Sequence, residues 1–206
     1  MNIVPAGLYI LGFGGHARSV ADIAVAMGFG QLAFVDDNAQ PGEAFAGFPV
    51  LRHMPADPAP GWLVFPAVGD NVRRRALSDK QALELARLIA PTASIGLAAV
   101  ISGGVLVAHH AHVGPGARIG RGAILNTGAI VDHETQVGAF THISINAAVA
   151  GRCTIGANVM IGAGAVVIDG ISIAEDVIIG SGATVVADIA HAGTYVGTPA
   201  RLMAHR

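Results

Sequence analysis

The sequence predicts two joined architectures: a small α/β unit over residues 1–90 and a parallel β-helix over residues 91–206. Three observations predict them. Every sixth residue from Ile95 to Val185 is Ile, Leu or Val, and the register runs through sixteen hexads without an insertion. Before that array, short apolar runs alternate with helix-length segments, the pattern of a parallel sheet with βαβ crossovers. The composition suits both. Of 206 residues 52% are hydrophobic but only 5% aromatic, and 28 are glycine, so the apolar mass is small and branched and fits thin, tightly wound strands.

In chain order, Leu8–Leu11 is a short apolar strand followed by GFGGHA, and a helix is expected from Ala17 to Met27. A second strand, Leu32–Val35, ends in Asp36 and Asp37. The proline-rich stretch Asn38–Pro60 reads as loop and short strand. Trp62–Val68 reads as a third strand with Trp62 in the core. Gly69–Asp70–Asn71 and a basic helical start, Arg73–Arg74–Arg75, come next, with helical character expected through Leu83–Leu88. The basic run, His53, His191 and His205 read as surface.

Within the array, the residue two before each aliphatic is also small or apolar (Ala111, Ala117, Ala123, Ala129, Ala147, Cys153), and residues i and i−2 point to one side of a strand. Three positions past the aliphatic residue, Gly, Asn or Asp fills eleven of sixteen sites, and these types tolerate a positive φ. Each hexad is therefore a short strand with two inward residues and then a corner. Three hexads make one triangular coil of 18 residues, and each coil is stable only through its neighbours.

Several classes are excluded or disfavoured. No stretch approaches the ~18 uninterrupted apolar residues of a membrane helix. The N-terminus lacks the basic region of a signal peptide. A formal charge of −2 argues against nucleic acid as a partner. The single Cys153 cannot form an intrachain disulfide, and it falls in the inward small-residue slot, where core packing is its expected role. These features fit a cytoplasmic protein without membrane insertion.

The polar exceptions to the hexad pattern cluster in Asn126–Ala139. Glu134 takes a corner that Gly, Asn or Asp takes elsewhere; His133 precedes it and projects outward; Asn126 and Asp132 fill a slot usually held by Gly, Ala or Ser. An imidazole beside a carboxylate is suited to general base work near neutral pH. The same two residues would also be ordinary on a solvated corner.

GFGGHA, FVDD, VGDNVRRR and NTGAIVDHE occur together and in this order, and the combination resembles the NeuD/PglD-type sugar acetyltransferases across essentially the whole chain. The resemblance implies a Rossmann-like nucleotide-binding domain joined to a left-handed parallel β-helix of hexapeptide repeats, assembled as a homotrimer. It implies transfer of acetyl from acetyl-CoA to the 4-amino group of a nucleotide-linked 4-amino-4,6-dideoxy sugar (GDP-perosamine or a UDP 4-amino sugar), with O-acetylation of sialic acid as the related branch. Residue by residue, it makes His133 the catalytic base and Glu134 the acid beside it, and puts Asn126 near the acceptor. His142 would lie near the acetyl donor, and Gly151 would present its N–H to the thioester carbonyl. Gly14, Gly15 and His16 would meet the diphosphate of the sugar nucleotide, with Asp36 and Asp37 near its base or ribose, and His133 would sit where the two domains meet. No metal is implied. The chemistry suits these types: an attacking amine must lose a proton, and the tetrahedral oxyanion needs a fixed donor.

Three other classes compete. GFGGHA with Asp36 also fits a dinucleotide fingerprint and hence an NAD-dependent oxidoreductase, although the first domain offers only about three strands. His109, His110 and His112 suggest a metal hydrolase, although no histidine pair in the array is spaced by a multiple of 18 as stacked ligands require. A purely structural solenoid explains the hexads but leaves the glycine-rich first domain without a role.

Overall fold

A computed structural model describes residues 6–204; residues 1–5 and 205–206, His205 among them, lie outside the described residues. The α/β domain contains β1 (Gly7–Leu11), α1 (Gly15–Ala26), β2 (Leu32–Val35), β3 (Ala44–Phe45), β4 (Phe48–Leu51), β5 (Trp62–Pro66) and α2 (Asn71–Asp79). The sheet order is β3-β4-β2-β1-β5, parallel except for the β3–β4 hairpin. All five residues of β1 are buried because both faces of the sheet are covered. On one face Leu8, Ile10, Phe34 and Phe65 pack against α1. On the other Tyr9, Leu11 and Val64 meet Leu77, Leu83 and Leu85. The Trp62 ring lies 4.4 Å from that of Tyr9 and covers Gly7, where a Cβ would come within 2.3 Å of the indole.

The expected helix through Leu83–Leu88 does not form. α2 ends at Asp79, Leu85 bridges in parallel to Val64, and β6 (Leu88–Ile89) pairs with Leu106–Val107 as the first rung of the β-helix. Leu83 and Leu85 alternate onto one sheet face, a period of two that overrides helical composition. Ile89 is six residues before Ile95, so the aliphatic register begins one hexad earlier than the sequence suggests.

Beyond β6 the chain winds as a three-sided prism of two-residue strands. Leu106, Ile124, His142, Met160 and Ile178 stack in register 18 residues apart on face I. Face II carries Ser94, His112, Ile130, Ala148, Val166 and Thr184. Face III carries Val100, Arg118, Gln136, Thr154 and Ser172. The interior is the aliphatic series with its small partners, including Val113, Leu125, Val149, Ala129 and Cys153, all buried. Cys153 Sγ donates to the Ile168 carbonyl at 3.2 Å, and burial pushes its thiol pKa up, as a packing residue requires.

All fifteen corners from Ala98 to Gly182 have φ between 54° and 74°. Glycine, Asn and Asp fill most of them. Ala98, His110, Glu134, Phe140 and Arg152 fill the rest at about 1–2 kcal/mol each in left-handed backbone strain. Past the array, Gly193–Val196 extends face I in parallel and Arg201–Leu202 returns antiparallel. No helix among the described residues is long and apolar enough to cross a membrane.

Candidate active site

The α/β domain docks on face I. Leu106, Ala108 and Ile124 project from that face into the core beneath α1. The second contact is polar and centres on Arg74, which is 1% exposed. Its guanidinium donates to the carbonyls of Gly122 (2.8 Å), Phe140 (2.8 Å), Val68 (3.1 Å) and Gly69 (3.2 Å) and to Asn71 Oδ1 (2.9 Å). Asn71 Nδ2 reaches the carbonyls of Asn158 and Val159, so α2 is fastened to the corners between faces III and I. Burial draws the Arg74 pKa down to about 10, with Asp70 partly offsetting it. This corrects the surface reading of the Arg73–Arg75 run: Arg74 is an interdomain bolt.

His142 sits beside this bolt at 6% exposure. Its Nδ1 is 3.3 Å from the Gly69 carbonyl, which can only accept, so Nδ1 carries the proton. Nε2 therefore accepts from Asn126 Nδ2 at 3.3 Å. Asn126 Oδ1 in turn accepts the Thr127 N–H at 2.8 Å. His16, in the first turn of α1, lies with its ring 6.3 Å from that of His142, and its Nε2 is buried with no partner among the described residues. A cleft of about 330 Å³ opens alongside, lined by His16, Arg18, Asp22, His109, Asn126 and Thr127.

Burial, with the Arg74 charge second, holds both His16 and His142 down to about 4, so both are neutral at pH 7. The ordinary histidine value is 6.5, so between about pH 6.5 and 4 the unfolded chain binds more protons than the folded one. The stability these groups contribute is present above about pH 6.5 and is lost as pH falls through that window. The melting temperature is expected to drop steeply from pH 7 to 5, and less steeply in His142→Gln. A melting temperature that stays flat over that range would contradict the burial of these rings.

The other predicted residues divide between two places. At the carboxyl ends of β1, β2 and β5 a second cleft, about 290 Å³, is lined by Gly12, Asp36, Asp37, Asn38, His53 and Arg73. Asp36 accepts from the Phe13 N–H (3.1 Å) and the Asn38 N–H (3.0 Å), which pins the glycine-rich loop to β2. Asp37 is exposed, 3.6 Å from His53. Gly14 caps α1 without a side-chain hydrogen bond, and a Cβ on Gly14 or Gly15 would meet nothing within 4 Å. The first turn of α1 thus has open space beside donors free for an anion.

His133 and Glu134 lie on the edge between faces II and III, the edge opposite the docked α/β domain of the same chain. This corrects the expectation that His133 sits where the two domains meet: within one chain the prism separates them. His133 is 40% exposed, with Nδ1 3.4 Å from Glu134 Oε2. The Asp132 carboxylate accepts the His133 N–H at 2.6 Å and fixes the turn. Gly151 stacks one coil below, and a Cβ there would stand 2.4 Å from His133 Nε2, so only glycine lets the ring lie against this backbone. His109 is engaged elsewhere, between Thr92 Oγ1 (2.8 Å) and Asp22 (3.5 Å). Among the described residues no group of three or more His, Cys, Asp or Glu side chains is placed to hold a metal ion.

Comparison with known proteins places this geometry. The PglD N-terminal domain family matches residues 7–81, and the bacterial transferase hexapeptide (six repeats) family matches residues 134–169 and 153–187. The acetyltransferase domain of PglB from Neisseria gonorrhoeae FA1090 is 33% identical, with a TM-score of 0.91 over 96% of this chain and 100% of that one. The chain belongs to the NeuD/PglD-type sugar acetyltransferases. The same Neisseria domain in complex with acetyl coenzyme A superposes with a TM-score of 0.90 at 33% identity, over 97% of this chain and 100% of that one. A mutant of perosamine N-acetyltransferase from Caulobacter crescentus, in complex with CoA and GDP-perosamine, is 32% identical with a TM-score of 0.87 over 97% of each chain. No curated protein sequence matches the chain. This NeuD/PglD-type protein is therefore an acetyltransferase with acetyl-CoA as co-substrate. Arg74 and the network around His142 are what sequence reasoning missed.

Proposed function

We propose that the enzyme transfers acetyl from acetyl-CoA to the 4-amino group of a nucleotide-linked 4-amino-4,6-dideoxy sugar, with His133 as general base, in a homotrimer whose sites lie between subunits. The observation that carries this reading is the exposed imidazole of His133 against Gly151, whose own N–H makes no hydrogen bond among the described residues. The amine nitrogen attacks the thioester carbon and passes its proton to His133 Nε2. Nδ1 faces Glu134, which steadies the imidazolium. The Gly151 N–H stabilises the oxyanion, and the thiolate leaves as the carbonyl reforms, taking up the proton from His133. Direct attack suits a chain whose one thiol, Cys153, is buried inside the prism. Gly14 and Gly15 offer the diphosphate the open first turn of α1, and the cleft with Asp36 and Asp37 receives base and ribose. Asn126, held by His142, meets the sugar.

Trimerisation resolves the separation of the two half-sites. Face II carries Ile130 (43% exposed) and Val166 (41% exposed), flanked by Ile145 and Ile168, whereas face III presents one exposed aliphatic, Val100 in its first coil, and then Arg118, Gln136, Thr154 and Ser172. Packing face II around a threefold axis brings the II/III edge of one copy to the I/II edge of the next. His133 then meets the neighbour's Asn126 and its cleft, and the ring closes. NAD oxidoreduction finds no second mononucleotide half in a sheet of five strands.

The test is thiol release from acetyl-CoA with GDP-perosamine, UDP and dTDP 4-amino sugars, and sialic acid as acceptors. Turnover confined to the amines is expected; turnover of sialic acid alone would overturn N-acetylation. Subunit sharing is tested by co-expressing His133→Ala with Asn126→Ala. Each variant alone should be nearly inactive, and random mixed trimers should recover about a quarter of wild-type sites. Mixed trimers as inactive as the parents would refute a shared site.

A further inference from the structure

The II/III edge holds two columns of corner residues spaced by 18. Pro115, His133, Gly151 and Asp169 form one; Gly116, Glu134, Arg152 and Gly170 form the other. Cross-links tie them, with the Arg152 N–H donating to the His133 carbonyl at 2.8 Å and the Gly170 N–H to the Gly151 carbonyl at 2.9 Å. Glu134 (φ 58°) and Arg152 (φ 55°) are consecutive in the second column, long charged side chains on left-handed backbone. Coils stack about 4.8 Å apart, so these opposite charges face each other across a single rung. Arg152 nevertheless does not pair with Glu134. Its guanidinium turns one rung further down and forms an ion pair with Asp169, while Glu134 remains on His133 Nδ1. Both members of the lower pair are about half exposed, and such a pair adds too little stability to offset the backbone strain at Arg152. Its value lies in what it prevents.

We propose that Asp169 is a positioning residue for acetyl transfer: by holding Arg152 it keeps that guanidinium from capturing the Glu134 carboxylate, which stays available to orient His133. The inference rests on His133 as the base. Without Asp169, Arg152 is free to turn to Glu134, the carboxylate one rung above it in the same column, and His133 exchanges a neighbouring anion for a nearby cation. The groups facing His133 are few. Its own rung carries Asp132 and Glu134, the rung above Gly114 and Pro115 without charge, and the rungs below Arg152 and Asp169. In the proposed trimer the facing edge of the adjoining copy adds His109 and His110, with Asp22 beside His109.

The experiment follows the His133 imidazole directly, by its ring resonances in NMR spectra of the full chain at fixed pH, with His133→Ala assigning them. In Asp169→Asn those resonances should shift, because the carboxylate facing His133 Nδ1 turns to Arg152. kcat should fall about threefold to tenfold with KM little changed, as for a base that has lost its orienting partner. In Asp169→Asn/Arg152→Asn both should return to near wild type, since Asn also tolerates the left-handed corner. Added to Glu134→Gln, Asp169→Asn should move neither the resonances nor kcat further. A thermal melt shows that each variant folds. His133 resonances and kcat unchanged in folded Asp169→Asn, or not restored by Arg152→Asn, overturn the proposal. The NMR readout needs no substrate, so it fails or succeeds separately from the assignment of the reaction.

Discussion

His133→Ala is expected to lower kcat by about 10²–10⁴, the range a positioned general base supplies, while KM for the nucleotide sugar changes little. The side chain is 40% exposed and its contacts are with Glu134 and the bare backbone of Gly151, so its loss leaves no cavity and no buried partner. The melting temperature should stay within a few degrees, as for a surface substitution. The candidate nucleotide cleft around Asp36 and Asp37 is on the opposite side of the same prism, and in the proposed trimer most acceptor contacts come from that α/β domain, so acceptor binding should depend little on the imidazole. Glu134→Gln should cost less, about tenfold, because in the proposed mechanism the carboxylate steadies the imidazolium and does not move the proton. Steady-state kinetics with calorimetric measurement of nucleotide-sugar binding checks this. Full turnover in His133→Ala would exclude the base role. Loss of binding together with turnover would make the residue part of the acceptor site.

Much of the prism was legible because its rules are periodic. A spacing of six gives strands and corners, and a spacing of 18 gives the stack, so the position of Gly151 beneath His133 follows from arithmetic alone. The strained corners were legible too: Glu134 stands out because glycine, Asn and Asp fill most equivalent sites. Which edge meets the α/β domain was not legible. Six-residue periodicity makes the three edges equivalent, and only docking distinguishes them, so His133 was expected at the domain junction and lies opposite it.

α2 hid its role for a related reason. It buries Asn71, Arg74 and Ser78 at positions i, i+3 and i+7 and leaves Val72 63% exposed, the reverse of an amphipathic pattern. The surface it meets is made largely of corner turns at Gly122, Phe140 and Asn158, whose carbonyls accept from the helix, with the Phe140 ring under Arg75 as its apolar part. Such a surface is satisfied by donors, so an inward polar stripe packs where an inward apolar stripe would leave acceptors bare. Apolar patterning cannot find this helix face. A hydrophobic-period search assigns Val72 to the core and Arg74 to solvent, each the opposite of its place.

Removing that stripe should have the largest effect on stability. Arg74→Ala deletes one guanidinium that serves five acceptors and leaves the carbonyls of Gly122 and Phe140 buried against the docked domain. Hydrogen bonds from a charged donor, and the desolvation of partners left without one, together put the cost at about 3–5 kcal/mol. For a chain of this size that corresponds to a fall in melting temperature of about 6–20 °C. Arg74→Lys should recover little, because an ammonium cannot reach acceptors on the loop after β5 and on two prism corners at once. Arg74→Met fills the volume and leaves every acceptor bare, so it should resemble the alanine variant. Arg75→Ala is the internal control. It removes a guanidinium stacked 5.1 Å from the Phe140 ring, a contact worth about 0.5–1 kcal/mol at an exposed site. The damage should also reach the site through Gly69. With its carbonyl no longer held by Arg74, the Nδ1–H of His142 loses a fixed acceptor, Asn126 loses the lone pair that orients its amide, and KM for the acceptor should rise before the protein melts. A melting temperature for Arg74→Ala within two or three degrees of wild type would show that apolar packing of face I alone fastens the two domains.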